Sequence, residues 1–219
     1  MEPREVRIPA GAAVLNGTLA PAGDDTALVL FAHGSGSSRH SPRNRSVAEV
    51  IRNQGIGTLL FDLLTSEEEE VDRVTARLRF DVKLLADRLE AATEWAIAQH
   101  AGEAGVAIGY FGASTGAAAA LIAASRLRDR VSAVVSRGGR PDLAGAALPR
   151  VTAPTLLIVG ERDPEVMVLN EQALSQLACA KDIARVPRAT HLFEEPGTLE
   201  EVARLAAQWF HRHLVESRR

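Results

Sequence analysis

The chain has 219 residues, 46% of them apolar, a net charge of −3 from 25 Lys and Arg against 28 Asp and Glu, and one cysteine, Cys179. That length is enough for one or two domains with their own core. The charge balance excludes a general nucleic-acid binder or a polybasic membrane module, and the lone thiol excludes an internal disulfide framework or a Cys-based zinc site. The longest wholly apolar stretch, Ala117 to Ala124, is far below the roughly 18 residues of a membrane span. Acidic residues stand where a signal peptide carries its basic region, so a cytoplasmic protein without membrane contact is expected.

No repeat, low-complexity tract or linker divides the chain, and one domain over residues 1–219 is expected. Glu5–Pro9 and Ala13–Leu19 read as strands joined by a Gly-containing turn, an antiparallel edge. Ala27–Ala32, Gly57–Phe61, Val106–Phe111, Val131–Val135 and Thr155–Val159 are apolar runs suited to strands buried on both faces, with Asp182–Val186 a weaker last one. Between them, Ser41–Gln54 opens on a Ser-Pro cap and stops at Gly55. Phe80, Leu84, Leu85, Leu89, Ala92, Trp95 and Ala96 form one helical stripe on a helix ending near Ala101. Thr115–Leu127, Glu165–Ala180 and the Val202–Phe210 stripe complete the helices. Strand–helix alternation of this kind predicts an α/β fold, a doubly wound and mostly parallel sheet with helices on both faces.

Open α/β sheets bind ligands beyond the carboxyl ends of their strands. The residues that follow each apolar run are His33-Gly34-Ser35-Gly36, Asp62, Gly112-Ala113-Ser114-Thr115-Gly116, Arg137-Gly138-Gly139-Arg140, Asp163 and His191. Gly112 to Gly116 matches G-x-S-x-G between a strand and a helix, where the serine sits on a sharp turn and its neighbours two away must be tiny. A serine hydroxyl needs a base and an orienting acid. The order Ser114, Asp163, His191, each at a strand end, meets that need. Taken singly, Asp163 also fits an N-cap of the helix from Pro164, and His191 a loop histidine. Asp142 is the alternative acid and Glu161 a local one. Backbone amides of Thr115 and Ser35 are the expected oxyanion donors, with Gly34 an alternative. His211-x-His213 has the wrong spacing for one helical face, and neither metal nor cofactor is expected.

These residues together resemble the α/β-hydrolase superfamily, over nearly the whole chain, and its dienelactone hydrolase-like branch in particular. The stretch from His33 through Arg39, Arg43 and Arg45, with Gly138 to Leu143, is also similar to small hydrolases that occur alone or fused to phosphoribosyltransferase-like domains. The resemblance implies the α/β-hydrolase fold. The strand spacings leave no room for a large cap, Asp62–Arg79 being the longest insertion and a candidate flap. It further implies a serine hydrolase of carboxylic esters, thioesters or lactones. Dienelactone hydrolase itself uses a cysteine where this chain has Ser114, and Cys179 is read as a packing residue on the helix before Ala180.

Arg39, Arg137 and Arg140 are candidate contacts to an anionic substrate, weighed against ordinary surface ion pairs with Asp and Glu, including Glu67–Glu70. The expected partner is a small-molecule ester, with no nucleic acid and no membrane, and a homo-oligomer is compatible with the sequence. The competing function is a non-catalytic binding or interaction protein that shares the fold.

Overall fold

A computed structural model describes residues 2–23, 26–100 and 105–218. Among them, eight strands build one sheet: β1 (Arg4–Ala10), β2 (Ala13–Ala20), β3 (Ala27–Ala32), β4 (Gly57–Phe61), β5 (Ala107–Ala113), β6 (Ala133–Arg137), β7 (Thr155–Gly160) and β8 (Lys181–Val186). Their order is β1-β2-β4-β3-β5-β6-β7-β8. β1 and β2 pair antiparallel, as do β2 and β4, and every other neighbour is parallel. The antiparallel edge and the parallel body therefore both form as the sequence pattern predicts.

The alternation along the strands explains the layers. Leu28, Leu30, Ile108, Tyr110 and Val134 face one apolar cluster, while Val29, Phe31, Phe111, Ala133 and Val135 face the other. Side chains two apart share a face, so a run apolar at every position must be covered twice. Helices α3 (Val82–Gln99) and α4 (Thr115–Leu127) supply Leu85, Leu89, Ala120 and Leu121 to the first cluster. Helices α1 (Pro42–Arg52) and α6 (Thr198–Phe210) supply Val47, Ile51, Val202 and Phe210 to the second. Two further helices, α2 (Ser66–Thr75) and α5 (Pro164–Gln176), lie in the connections after β4 and β7. No helix among the described residues is long and apolar enough to cross a membrane.

Four local expectations are corrected, at Phe80, at Cys179, at Val131 and Ser132, and at the end of β5. Phe80 does not lie on the α3 stripe: it closes a short 3-10 turn, 57% exposed, because Asp81 caps α3 by accepting from the Leu84 N–H at 3.0 Å. α3 ends at Gln99, close to the expected end near Ala101, a residue that lies outside those described. α5 stops at Gln176 as Leu177 turns extended, so Cys179 lies beyond the helix, half-buried with its Sγ 3.7 Å from Thr155 Oγ1. Val131 and Ser132 precede β6 rather than opening it, and β5 runs on through Gly112 and Ala113 to the residue before Ser114.

Candidate active site

The strand ends gather the predicted residues on one side of the sheet. Ser114 follows β5 with no residue between, at φ 50° and ψ −120°, a conformation that a non-glycine residue adopts only when its surroundings hold it. The hold is visible. The Ser114 N–H donates to Arg137 O at 3.3 Å, and Ser114 O accepts from the N–H groups of Ala117 and Arg140, both at 3.1 Å. The small flanking residues are required by contact: a Cβ on Gly116 would stand 2.1 Å from Ala32 O, so α4 can approach β3 only with glycine there. Although Ser114 occupies the N-cap position of α4, its hydroxyl makes no capping bond.

His191 and Asp163 meet through a 2.7 Å hydrogen bond between Nδ1 and Oδ2. A carboxylate can only accept, so Nδ1 carries the proton, and in the neutral ring Nε2 is the acceptor. Asp163 is at the N-cap of α5, yet its side chain makes no capping bond and turns to the imidazole instead. The N-cap role and the partnership with histidine were alternatives in the sequence, and the carboxylate serves the second. The loop carrying His191 is tight: Phe193, buried at φ 55°, donates its N–H to Thr190 O at 3.2 Å. The alternative acids are engaged elsewhere. Asp142 takes both arms of Arg140 at 2.9 and 2.8 Å, and Glu161 accepts from the Arg188 N–H at 3.0 Å.

The loop after β3 closes against the serine. A Cβ on Gly34 would lie 3.0 Å from Ser114 Cβ, so these backbones are in contact. Ser37 N–H donates to Gly34 O at 3.2 Å, a turn that leaves Ser35 at its crest. Beneath it lies His33, whose part the sequence reading missed. Its Nδ1–H donates to Gly34 O at 3.0 Å and its Nε2 accepts from the Leu63 N–H at 3.1 Å. Both bonds need the neutral ring, and burial pushes the imidazole below its ordinary value of 6.5. A histidine placed directly between a buried strand and the glycine loop is the signal that could have found it. Thr115 begins α4, where first-turn amides have no acceptor inside the helix.

Ser114, His191, Ser35 and Arg137 border one cavity of about 250 Å³, with Gly34, Ser41 and Arg43 among the other walls. A larger cavity of about 570 Å³ adjoins it, sharing Gly34, Ser35, Ser37, Ser41 and Arg43 and reaching Glu69, Asp72 and Arg79 of the segment after β4. That segment is tied down. Thr65 and Glu68 form a reciprocal cap on α2, and Arg79 Nε binds Asp72 Oδ2 at 2.5 Å.

The three candidate arginines separate. Arg39 is held by Asp62, through its backbone N–H at 2.8 Å and its Nη1, and by Glu5 at 3.3 Å. Arg140 is paired with Asp142. Neither borders the cavity at Ser114. Arg137 does, and its guanidinium has no carboxylate partner among the described residues: Nη2 donates to Asn44 Oδ1 at 3.2 Å. No group of three or more His, Cys, Asp or Glu side chains among the described residues is arranged to hold a metal ion.

Residues 25–204 match the α/β hydrolase domain family. The crystal structure of dienelactone hydrolase from Anabaena variabilis superposes with a TM-score of 0.93 at 55% identity, over 98% of this chain and 100% of that one. The protein therefore belongs to the α/β-hydrolase family and to its dienelactone hydrolase-like branch. A lid-free α/β serine hydrolase from Xanthomonas campestris shares the fold at TM-score 0.77 and 21% identity, over 98% of this chain and 96% of that one. Among curated sequences, the "Putative phosphoribosyl transferase" of Mycobacterium tuberculosis H37Rv is 56% identical over 210 residues, covering 96% of this chain and 46% of its own length. The chain thus spans about half the length of the curated relatives it matches.

Proposed function

We propose that this protein is a serine hydrolase that cleaves a carboxylic ester, or a related thioester or lactone, through an acyl-enzyme on Ser114. The observation that carries the reading is the behaviour of Asp163, which stands at the N-cap of α5 without capping it and holds His191 Nδ1 instead, while His191 and Ser114 border the same cavity. In this scheme Ser114 Oγ attacks the substrate carbonyl carbon and its proton passes to His191 Nε2. The tetrahedral oxyanion is met by the amides of Thr115 and Ser35. Collapse breaks the bond to the leaving oxygen or sulfur, which takes the proton back from His191. Water, activated by the same imidazole, then releases the acid and restores Ser114. Asp163 fixes the tautomer and stabilises the imidazolium.

A small-molecule ester is the proposed substrate, in a single domain acting in the cytoplasm. A relative named dienelactone hydrolase brings lactones within the class to be tried. Steady-state kinetics on short 4-nitrophenyl esters and thioesters test the scheme. Ser114→Ala and His191→Ala are expected to lower kcat by about 10³-fold or more, and Asp163→Asn by about 10²–10⁴-fold, with circular dichroism unchanged. Retention of full activity in Ser114→Ala excludes the acyl-enzyme. Ligand binding without turnover on any ester supports the non-catalytic alternative.

A further inference from the structure

Asn170 lies in the middle of α5, the helix that opens at Asp163, and is fully buried. Its Nδ2 donates to Gly139 O at 3.0 Å and to Val166 O at 2.8 Å, while its Oδ1 is buried without a partner among the described residues. Both acceptors are carbonyls, so the amide can present only its NH2 group to them. An acceptor left unmet in the interior is destabilising, and a leucine of similar size would fill the space without that cost. The physical value of asparagine at this position therefore lies in what its NH2 group holds.

The bond to Val166 stays inside α5, whereas the bond to Gly139 leaves it. Gly139 lies in the turn after β6, and that turn grips Ser114 from both ends. Arg137 O accepts from the Ser114 N–H at 3.3 Å, and the Arg140 N–H donates to Ser114 O at 3.1 Å. Between these bonds Gly138 stands against His191: a Cβ there would lie 3.1 Å from His191 O and 3.7 Å from His191 Cε1. Gly139 is packed as closely, since its Cβ would meet Ser136 Oγ at 2.0 Å and Ala117 Cβ at 2.6 Å. The turn thus touches both serine and histidine, yet neither glycine has a side chain to anchor it. The Gly138 N–H ties it to β7 by donating to Ile158 O at 2.8 Å, and Asn170 ties it to α5.

We propose that Asn170 is a positioning residue for Ser114 and His191: its bond to Gly139 O fixes the turn that sets both of them against the Asp163 end of α5. The left-handed backbone at Ser114 persists only with support of this kind from its surroundings. Small displacements of reacting groups change rates steeply, so a loosened turn is visible in turnover. The proposal rests on the serine-hydrolase reading for the reaction affected, and on these hydrogen bonds alone for the placement.

Two substitutions in the full chain separate the two bonds. Asn170→Leu removes both. Asn170→Ser supplies a hydroxyl that can bond back to Val166 O within the helix but stops short of Gly139 O. Each is expected to lower kcat on 4-nitrophenyl esters about tenfold, with KM within about twofold of wild type, and to slow fluorophosphonate labelling of Ser114 in proportion. Hydrogen–deuterium exchange, which needs no turnover, is expected to quicken at the Ser114 and Arg140 amides that the grip protects. Ala173→Gly is the control. It weakens α5 at another buried position whose side chain has no polar group, and is expected to leave kcat and exchange at those two amides unchanged.

Should Asn170→Leu fail to fold, Asn170→Ser carries every readout. Wild-type kcat and exchange in Asn170→Ser overturn the proposal. A loss that Ala173→Gly reproduces overturns it as well, since helix packing alone then accounts for the effect. Wild-type protein that neither turns over esters nor takes the label, while Asn170→Ser still quickens exchange at Ser114 and Arg140, overturns the hydrolase reading and upholds the placement.

Discussion

At the scale of single residues, a few side chains are placed by competition between local and distant partners. Asp163 had a helix to cap and Ser114 had another, and neither does so. The pattern G-x-S-x-G and the chain order Ser, Asp, His made these residues legible in the sequence, because strand ends converge whatever the intervening detail. The arginines were not legible in the same way. Arg39 meets Asp62 across 23 positions and Arg43 meets Glu194 across 151, pairings that no local spacing encodes. Arg137 likewise meets Asn44 of α1 across 93 positions. His33 yields a prediction at this scale. Its folded-state pKa is depressed below 6.5, so the unfolded chain binds more protons in acid. The His33 contribution to stability is therefore complete above pH 6.5 and is lost as pH falls below it. Urea melts of wild type and His33→Gln between pH 5 and 8 are expected to converge toward the acid end, the difference being largest above pH 7.

Elements were read with most success where burial is two-sided. β3, β4 and β7 are buried at every position, and each was found from its unbroken apolar run. Among the described residues β8 pairs only with β7, and it is largely exposed, which is why its pattern was weak. The misplaced boundaries have local causes: Asp81 out-competes the apolar phase of Phe80 by capping α3, and α5 unwinds at Leu177, which joins the core in an extended conformation. The tightest inter-element contact predicts its own sensitivity. Gly116→Ala places a methyl against the backbone of Ala32 and His33, which cannot retreat without dislodging the sheet or the Ser35 loop. The expected loss is about 3 kcal/mol of stability or more, measured by urea denaturation, together with reduced turnover in whatever fraction remains folded. A stability equal to wild type would contradict the close packing of α4 on β3.

Across the whole molecule, the residues proposed to act together come from Ser35 to His191, so one site draws on the ends of β3, β5, β6, β7 and β8. A chain built this way has no half that could hold the site alone. The two tryptophans sit on opposite faces of the sheet, Trp95 against the α3–α4 layer and Trp209 in the α1–α6 layer. If residues 1–219 form one domain, single-tryptophan proteins made by Trp95→Phe and Trp209→Phe should give the same urea midpoint by fluorescence once each is referenced to its own circular dichroism. Loss of activity should follow the same transition. Separate midpoints would show that the two layers unfold independently.

The central claim is that Ser114 is the nucleophile, and covalent capture addresses it without knowledge of the natural substrate. Treatment of the intact protein with a fluorophosphonate, followed by intact-mass measurement and peptide mapping, is predicted to add one phosphonyl group per chain, on the peptide bearing Ser114. His191→Ala should slow that labelling by about 10³-fold, since the imidazole is the base that activates the hydroxyl. An unlabelled wild-type protein, or an adduct that persists at full rate in Ser114→Ala, would contradict the account.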